Sequence, residues 1–100
     1  MKSKILLIFS IFMLSFNVFS TPNSNEKFKL AKSYLEQKEY VKAEKIYLEL
    51  AKKKDVHAIY NLGYLYMEQG KIIEGEKYYK MALENGSPDS KDKLFDLYQT

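Results

Sequence analysis

Ala58-Ile59-Tyr60-Asn61-Leu62-Gly63-Tyr64-Leu65-Tyr66-Met67-Glu68-Gln69-Gly70-Lys71 is the stretch from which the fold can be read. Sliding the chain along itself by 32 residues places Leu30, Tyr34, Glu36 and Gln37 on Leu62, Tyr66, Glu68 and Gln69. Downstream, the same shift carries Glu44, Lys45 and Tyr47 onto Glu76, Lys77 and Tyr79, and Leu94, Leu97 and Tyr98 begin a third copy of Leu62, Leu65 and Tyr66. A period of this size is the signature of stacked supersecondary units, each too small to bury its own apolar face alone.

Within a unit the spacing is helical. Tyr40, Ala43, Tyr47 and Leu50 advance by three, four and three residues, as do Ile72, Gly75, Tyr79 and Ala82, so each set shares one helix face and is expected to be core. The punctuation agrees. Asp55 can cap a helix beginning at Val56, Ser87 with Pro88 supplies an N-cap and a favoured first helical residue, and Gly86 suits the position just past a helix end. Helices are expected at 24–37, 40–53, 56–69, 72–85 and 89–99, joined by short turns that make neighbours antiparallel. Glu49 with Lys53 and Glu76 with Lys80 are expected i,i+4 pairs on solvent faces. The fold class is therefore all-α: antiparallel helical hairpins stacked as a short α-solenoid, repeat 1 at about 24–55, repeat 2 at about 56–87, and a terminal capping helix at about 88–100.

Leu62-Gly63 followed by Tyr66 resembles the central element of a tetratricopeptide repeat, and Tyr79 and Ala82 stand where that family places a large aromatic and a later small residue. Glu84-Asn85-Gly86 is similar to the end of a Sel1-type repeat. The chain departs from the pattern at Ile59 and Lys27, where the family often has Trp, at Gly75, where it prefers Ala, and at Ala31, where it has Gly. Ala31 and Gly75 keep the small size that close helix approach requires. The resemblance covers 26–100 and implies a concave surface lined by the first helix of each unit. On that surface it places Asn25, Phe28, Lys32 and Leu35 from the first unit and His57, Tyr60, Asn61, Tyr64 and Met67 from the second. Packing against neighbouring helices is the alternative role for each. Some relatives grip a terminal carboxylate with Lys and Asn. Only Asn61 matches here, because Asn25 and Asp89 stand where lysine is wanted, so that specificity is not expected.

Ahead of the repeats, Lys2 and Lys4 precede an apolar run from Ile5 that continues, interrupted, to Phe19 before the polar Ser20-Thr21-Pro22-Asn23. This is the grammar of an export signal, expected at 1–20 with cleavage after Ser20 and a short linker at 21–25. As a helix the run would span roughly 22 Å, short of a hydrocarbon core of about 30 Å, which makes a permanent anchor the lesser reading. A secreted or periplasmic location follows, with membrane contact only through the leader.

Beyond residue 20 the chain carries fourteen lysines against thirteen acidic side chains, interspersed, and arginine is absent throughout. Nucleic-acid binding wants clustered basic residues, so none is expected. The one dense basic run, Lys52-Lys53-Lys54, complements a helix C-terminus. Without cysteine and with one histidine, His57, the chain lacks the means for disulfides or a zinc or copper site. His57 beside Asp55 reads as an exposed side chain at a helix start rather than a general base, and Asp89, Asp92 and Asp96 as a solvated face. No cofactor and no catalysis are expected. The function expected is an exported module that binds a peptide or protein partner, partly apolar with some positive charge near the terminal helix. Self-association into a homo-oligomer of an envelope assembly is the alternative, and an envelope enzyme a distant third.

Overall fold

A computed structural model describes residues 23–99. The expected leader and its cleavage point lie outside the described residues. Five helices follow one another: α1 (Ser24–Glu36), α2 (Tyr40–Lys52), α3 (Val56–Glu68), α4 (Ile72–Glu84) and α5 (Pro88–Gln99). No strand occurs among the described residues. Each helix packs chiefly against its neighbours in sequence, giving antiparallel hairpins stacked in a short array.

The helices start at residues 24, 40, 56, 72 and 88, a constant interval of half the sequence repeat. One turn geometry sets that interval. At each junction a residue adopts positive φ: Lys38 (60°), Lys54 (62°), Gly70 (74°) and Gly86 (97°). The following backbone N–H then reaches back across the turn, Glu39 to the Tyr34 carbonyl (2.8 Å), Asp55 to Leu50 (3.2 Å), Lys71 to Tyr66 (2.9 Å) and Ser87 to Ala82 (2.9 Å). This is the Schellman closure, which satisfies carbonyls left over at a helix end. The first four helices each end one residue earlier than expected, because residues 37, 53, 69 and 85 serve as C-caps, and α5 begins at Pro88 itself. Two starts have side-chain caps: Asn23 Oδ1 accepts from the Glu26 N–H (2.9 Å) and Asp55 Oδ1 from the Ala58 N–H (3.2 Å).

The core runs through the faces that the spacing marked out. Ala31, Ala43, Tyr47, Leu50, Ala58, Leu62, Leu65 and Tyr66 form one buried cluster, and Tyr79, Ala82 and Leu94 are buried further along the stack. Ile72 departs from expectation. On the first turn of α4 it is 53% exposed. Leu30 and its copy Leu62 are 45% and 0% exposed, since only Leu62 has an earlier helix, α2, to pack against.

Two contacts hold the helices at close range. The Tyr79 ring lies flat on Gly63: a Cβ there would sit 2.6 Å from Tyr79 Cδ1 and 2.7 Å from Cε1. Gly75 receives Met67, whose Cγ and Cε would lie 2.8 and 2.9 Å from a Cβ. Between units a Tyr–Glu interaction recurs. Tyr98 donates to Glu76 Oε1 (3.0 Å), and one period earlier the Glu44 carboxylate acts on the Tyr66 phenol, adding to the rise in pKa that burial causes. Glu76 also pairs with Lys80 at 2.9 Å as the spacing implied. Glu49 does not pair with Lys53, which is the C-cap beyond helical geometry; its partner is Lys27 of α1, at 3.7 Å.

Gly63→Ala should cost about 1–3 kcal/mol, because the aromatic ring cannot yield without leaving its seat. Gly75→Ala should stay within about 1 kcal/mol of the parent, since a gain of roughly 0.8–1 kcal/mol in helix propensity offsets the displacement of a flexible Met. Urea denaturation of both variants compares them directly, and equal costs would contradict the packing described. Lys54→Gly should raise stability by about 0.5–1 kcal/mol, removing a left-handed conformation that disfavours a Cβ, and is read from the thermal midpoint.

Candidate functional site

The first helices of the hairpins, α1 and α3, run side by side and in parallel, because one antiparallel helix separates them; α5 continues the row. Between them lies an open groove of about 420 Å³. Lys32, Leu35 and Glu36 of α1 and Lys38 of the following turn form one wall. Tyr60, Asn61, Tyr64 and Glu68 of α3 form the floor and opposite wall, and Lys93 of α5 closes the far side. On α1 and α3 these residues recur at three- and four-residue steps, so each helix offers one continuous stripe to the groove.

Five of the residues expected on a concave face are thus brought together: Lys32, Leu35, Tyr60, Asn61 and Tyr64. The other four lie elsewhere. The half-buried Phe28 meets Tyr47 edge-on (ring centroids 6.0 Å, interplanar angle 68°) and His57 likewise (6.3 Å, 73°). His57 is exposed at the start of α3. Met67 is half-buried against Gly75, used in the α3–α4 contact. Asn25 is exposed on the first turn of α1.

Sequence reasoning missed Glu36, Glu68, Lys38 and Lys93. The signal for three of them was present. Glu36 and Glu68 are a matched pair of the 32-residue shift, each one helical turn past a groove residue, Lys32 and Tyr64. Lys93 is the shifted copy of Asn61. Lys38, which the helical spacing does not reach, lies at the groove rim from the turn after α1, where its backbone is left-handed. It is Lys93, rather than Asp89, Asp92 or Asp96, that α5 contributes to the lining, although Asp89 and Asp92 act electrostatically on Tyr60.

The tyrosines of this region are held in the protonated form. Burial raises Tyr60, helped by the negative charges of Asp89 and Asp92. The negative charge of the nearby Glu68 carboxylate raises Tyr64. Tyr47 is fully buried, and desolvation pushes it up to about 12 against the opposing influence of Asn61. Its hydroxyl has no hydrogen-bond partner of good geometry, although the groove residues Asn61 and Glu36 both act on it. The groove therefore presents phenol, carboxamide, ammonium and carboxylate groups around an apolar Leu35. Such a set can bind polypeptide through backbone and side-chain hydrogen bonds. Among the described residues no cluster of three or more His, Asp, Glu or Cys could hold a metal ion. Nor is any helix among them long and apolar enough to cross a membrane.

The buried phenols set an alkaline limit. Their folded-state pKa lies above the unfolded value of about 10, so the folded state retains protons that the unfolded chain releases. Their contribution is complete below pH ~10 and falls as pH rises through the folded values, to about 12 for Tyr47. Alkaline titration should show the last part of the tyrosinate absorbance rise coinciding with loss of helical circular dichroism. Complete ionisation of all tyrosines with the helix signal intact would contradict it.

Compared with known proteins, the chain matches no family profile, no curated protein and no solved structure.

Proposed function

We propose that this chain is a protein-interaction module of tetratricopeptide or Sel1-like type, binding a peptide or protein segment in the groove across α1, α3 and α5. The observation that carries the reading is the convergence of Lys32, Leu35, Tyr60, Asn61 and Tyr64 on that single groove. Tyr and Leu supply contact area at low entropic cost, and Asn61 with the lysines supplies polar anchoring. The surrounding hairpins hold these groups on regular helices, so little ordering is required on binding. We read the module as non-enzymatic, because His57, the only histidine, meets the Phe28 ring rather than a nucleophile. The apolar leader after Lys2 and Lys4 supports work in the periplasm or outside the cell, after cleavage near Ser20.

A second reading, self-association, is favoured by α5. Phe95 and Tyr98 are 63% and 60% exposed on a helix whose main packing partner among the described residues is α4. Phe95 stands where α3 has Gly63, so a ring projects from the position that in α3 receives one.

A photoreactive amino acid at position 64 separates the readings. Envelope extracts should give a discrete crosslinked partner from position 64 and none from position 73, on the outer side of α4. Equal yields from both positions, or no product from either, would count against the groove, and a product of twice the chain's mass would favour self-association.

A further inference from the structure

The groove just described is lined by five charged side chains: Lys32, Lys38, Lys93, Glu36 and Glu68. None of them is in an ion pair among the described residues. The pairs that do form, Lys27–Glu49, Lys42–Glu39 and Lys80–Glu76, all lie outside the groove. Charges of both signs therefore line one concavity without neutralising one another.

Their order follows the helices. On α1, Lys32 precedes Glu36 by one turn, and Glu68 occupies the last turn of α3. Lys93 corresponds to Asn61, in the first half of its helix. Lys32 and Lys93 thus each stand nearer the start of their helix than the carboxylates, which occupy the last turns of α1 and α3. The macrodipoles of these parallel helices point the same way, with their negative ends where Glu36 and Glu68 lie. A carboxylate in a last turn costs its helix roughly 0.3–1 kcal/mol when exposed, and here the arrangement recurs in both units. Glu84 at the end of α4 shares that placement outside the groove. Lys38, past the end of α1, offsets part of the acidic end and leaves its sign negative.

We propose that the groove's partner is a dipolar segment, with an acidic side chain over Lys32 and Lys93, a basic one over Glu36 and Glu68, and an apolar neighbour against Leu35 and Tyr64. This rests on the peptide-binding reading above and adds the partner's charge order to it. The spacing agrees. Same-face residues of an extended chain lie roughly 6.6 Å apart, close to the rise of about 6 Å between Lys32 and Glu36 at about 1.5 Å per helical residue. Acid and base therefore stand two positions apart in the bound segment. Recognition runs through internal side chains, and a free terminal carboxylate is not required.

The test uses blocked peptides and the mature chain from residue 21, with binding followed by amide shifts of Leu35, Asn61 and Tyr64. The probe is acetyl-Gly-Leu-Asp-Gly-Lys-Leu-Gly-amide. Its controls are the same peptide with Asn and Gln in place of Asp and Lys, one with two Asp, and one with two Lys. Two matched, exposed contacts predict that the Asp/Lys peptide binds roughly two- to thirtyfold tighter than the neutral one, with the advantage lost at high salt. The exchange Lys32→Glu with Glu36→Lys keeps net charge and should reduce that advantage, helical circular dichroism reporting that the fold is kept. Equal binding of all four peptides overturns the charge order while leaving the groove reading standing. Binding only by unblocked peptides overturns it too, in favour of terminal-carboxylate recognition. If no peptide shifts these amides and position 64 captures no partner, the groove reading itself fails.

Discussion

The array depends on the seating of an aromatic ring from the second helix of a hairpin on a small residue of the first. Tyr79 on Gly63 is the tightest instance, leaving no room even for a methyl group. In the first unit the corresponding residues, Tyr47 and Ala31, are both fully buried. A large ring against a nearly bare backbone brings the helices close enough to exclude water, and the burial of such rings dominates what a domain this small can gain. The same contact has a polar cost. The Tyr47 hydroxyl is taken out of water without a partner of good geometry, which is reflected in its raised pKa.

Given that seat, the turns decide how units succeed one another. A left-handed residue at every sixteenth position reverses the chain in three residues, so each helix is returned beside its predecessor at the same height. Glycine fills that position in the second unit and lysine in the first, so the geometry is imposed by closure of the carbonyl end as well as by residue type. The hydrogen bond of Tyr98 to Glu76, with Glu44 acting electrostatically on Tyr66 one period earlier, then links a second helix to the first helix of the next unit. One period of sequence thus encodes an intra-hairpin seat, a turn and an inter-unit clasp.

The groove is a consequence of this regularity. Because alternate helices are parallel, residues at matching positions of α1, α3 and α5 line up across the concave side, and substitutions between copies create its chemistry. Position 61 is Asn in α3 and Lys93 in α5; position 64 is Tyr in α3 and Lys32 in α1. Where the copies agree, as at Glu36 and Glu68, the groove gains a repeated charge. Identity between copies maintains the stack, and difference between them sets what the concave side offers.

The sequence by itself determined the helices, their order and most of the core, because the apolar period, the caps and the 32-residue self-match are local properties of the chain. It also marked Lys32, Leu35, Tyr60, Asn61 and Tyr64 for one surface. Only the tertiary structure decided that Phe28 and Met67 turn into packing, that Ile72 stays exposed, and that Glu49 pairs with Lys27 across helices. The physical reason is that a helical period fixes the direction of a side chain about its own axis. Whether that direction meets water, a neighbouring helix or an open groove depends on how closely the next helix is seated, a distance set by the contact of Tyr79 with Gly63 and its counterparts.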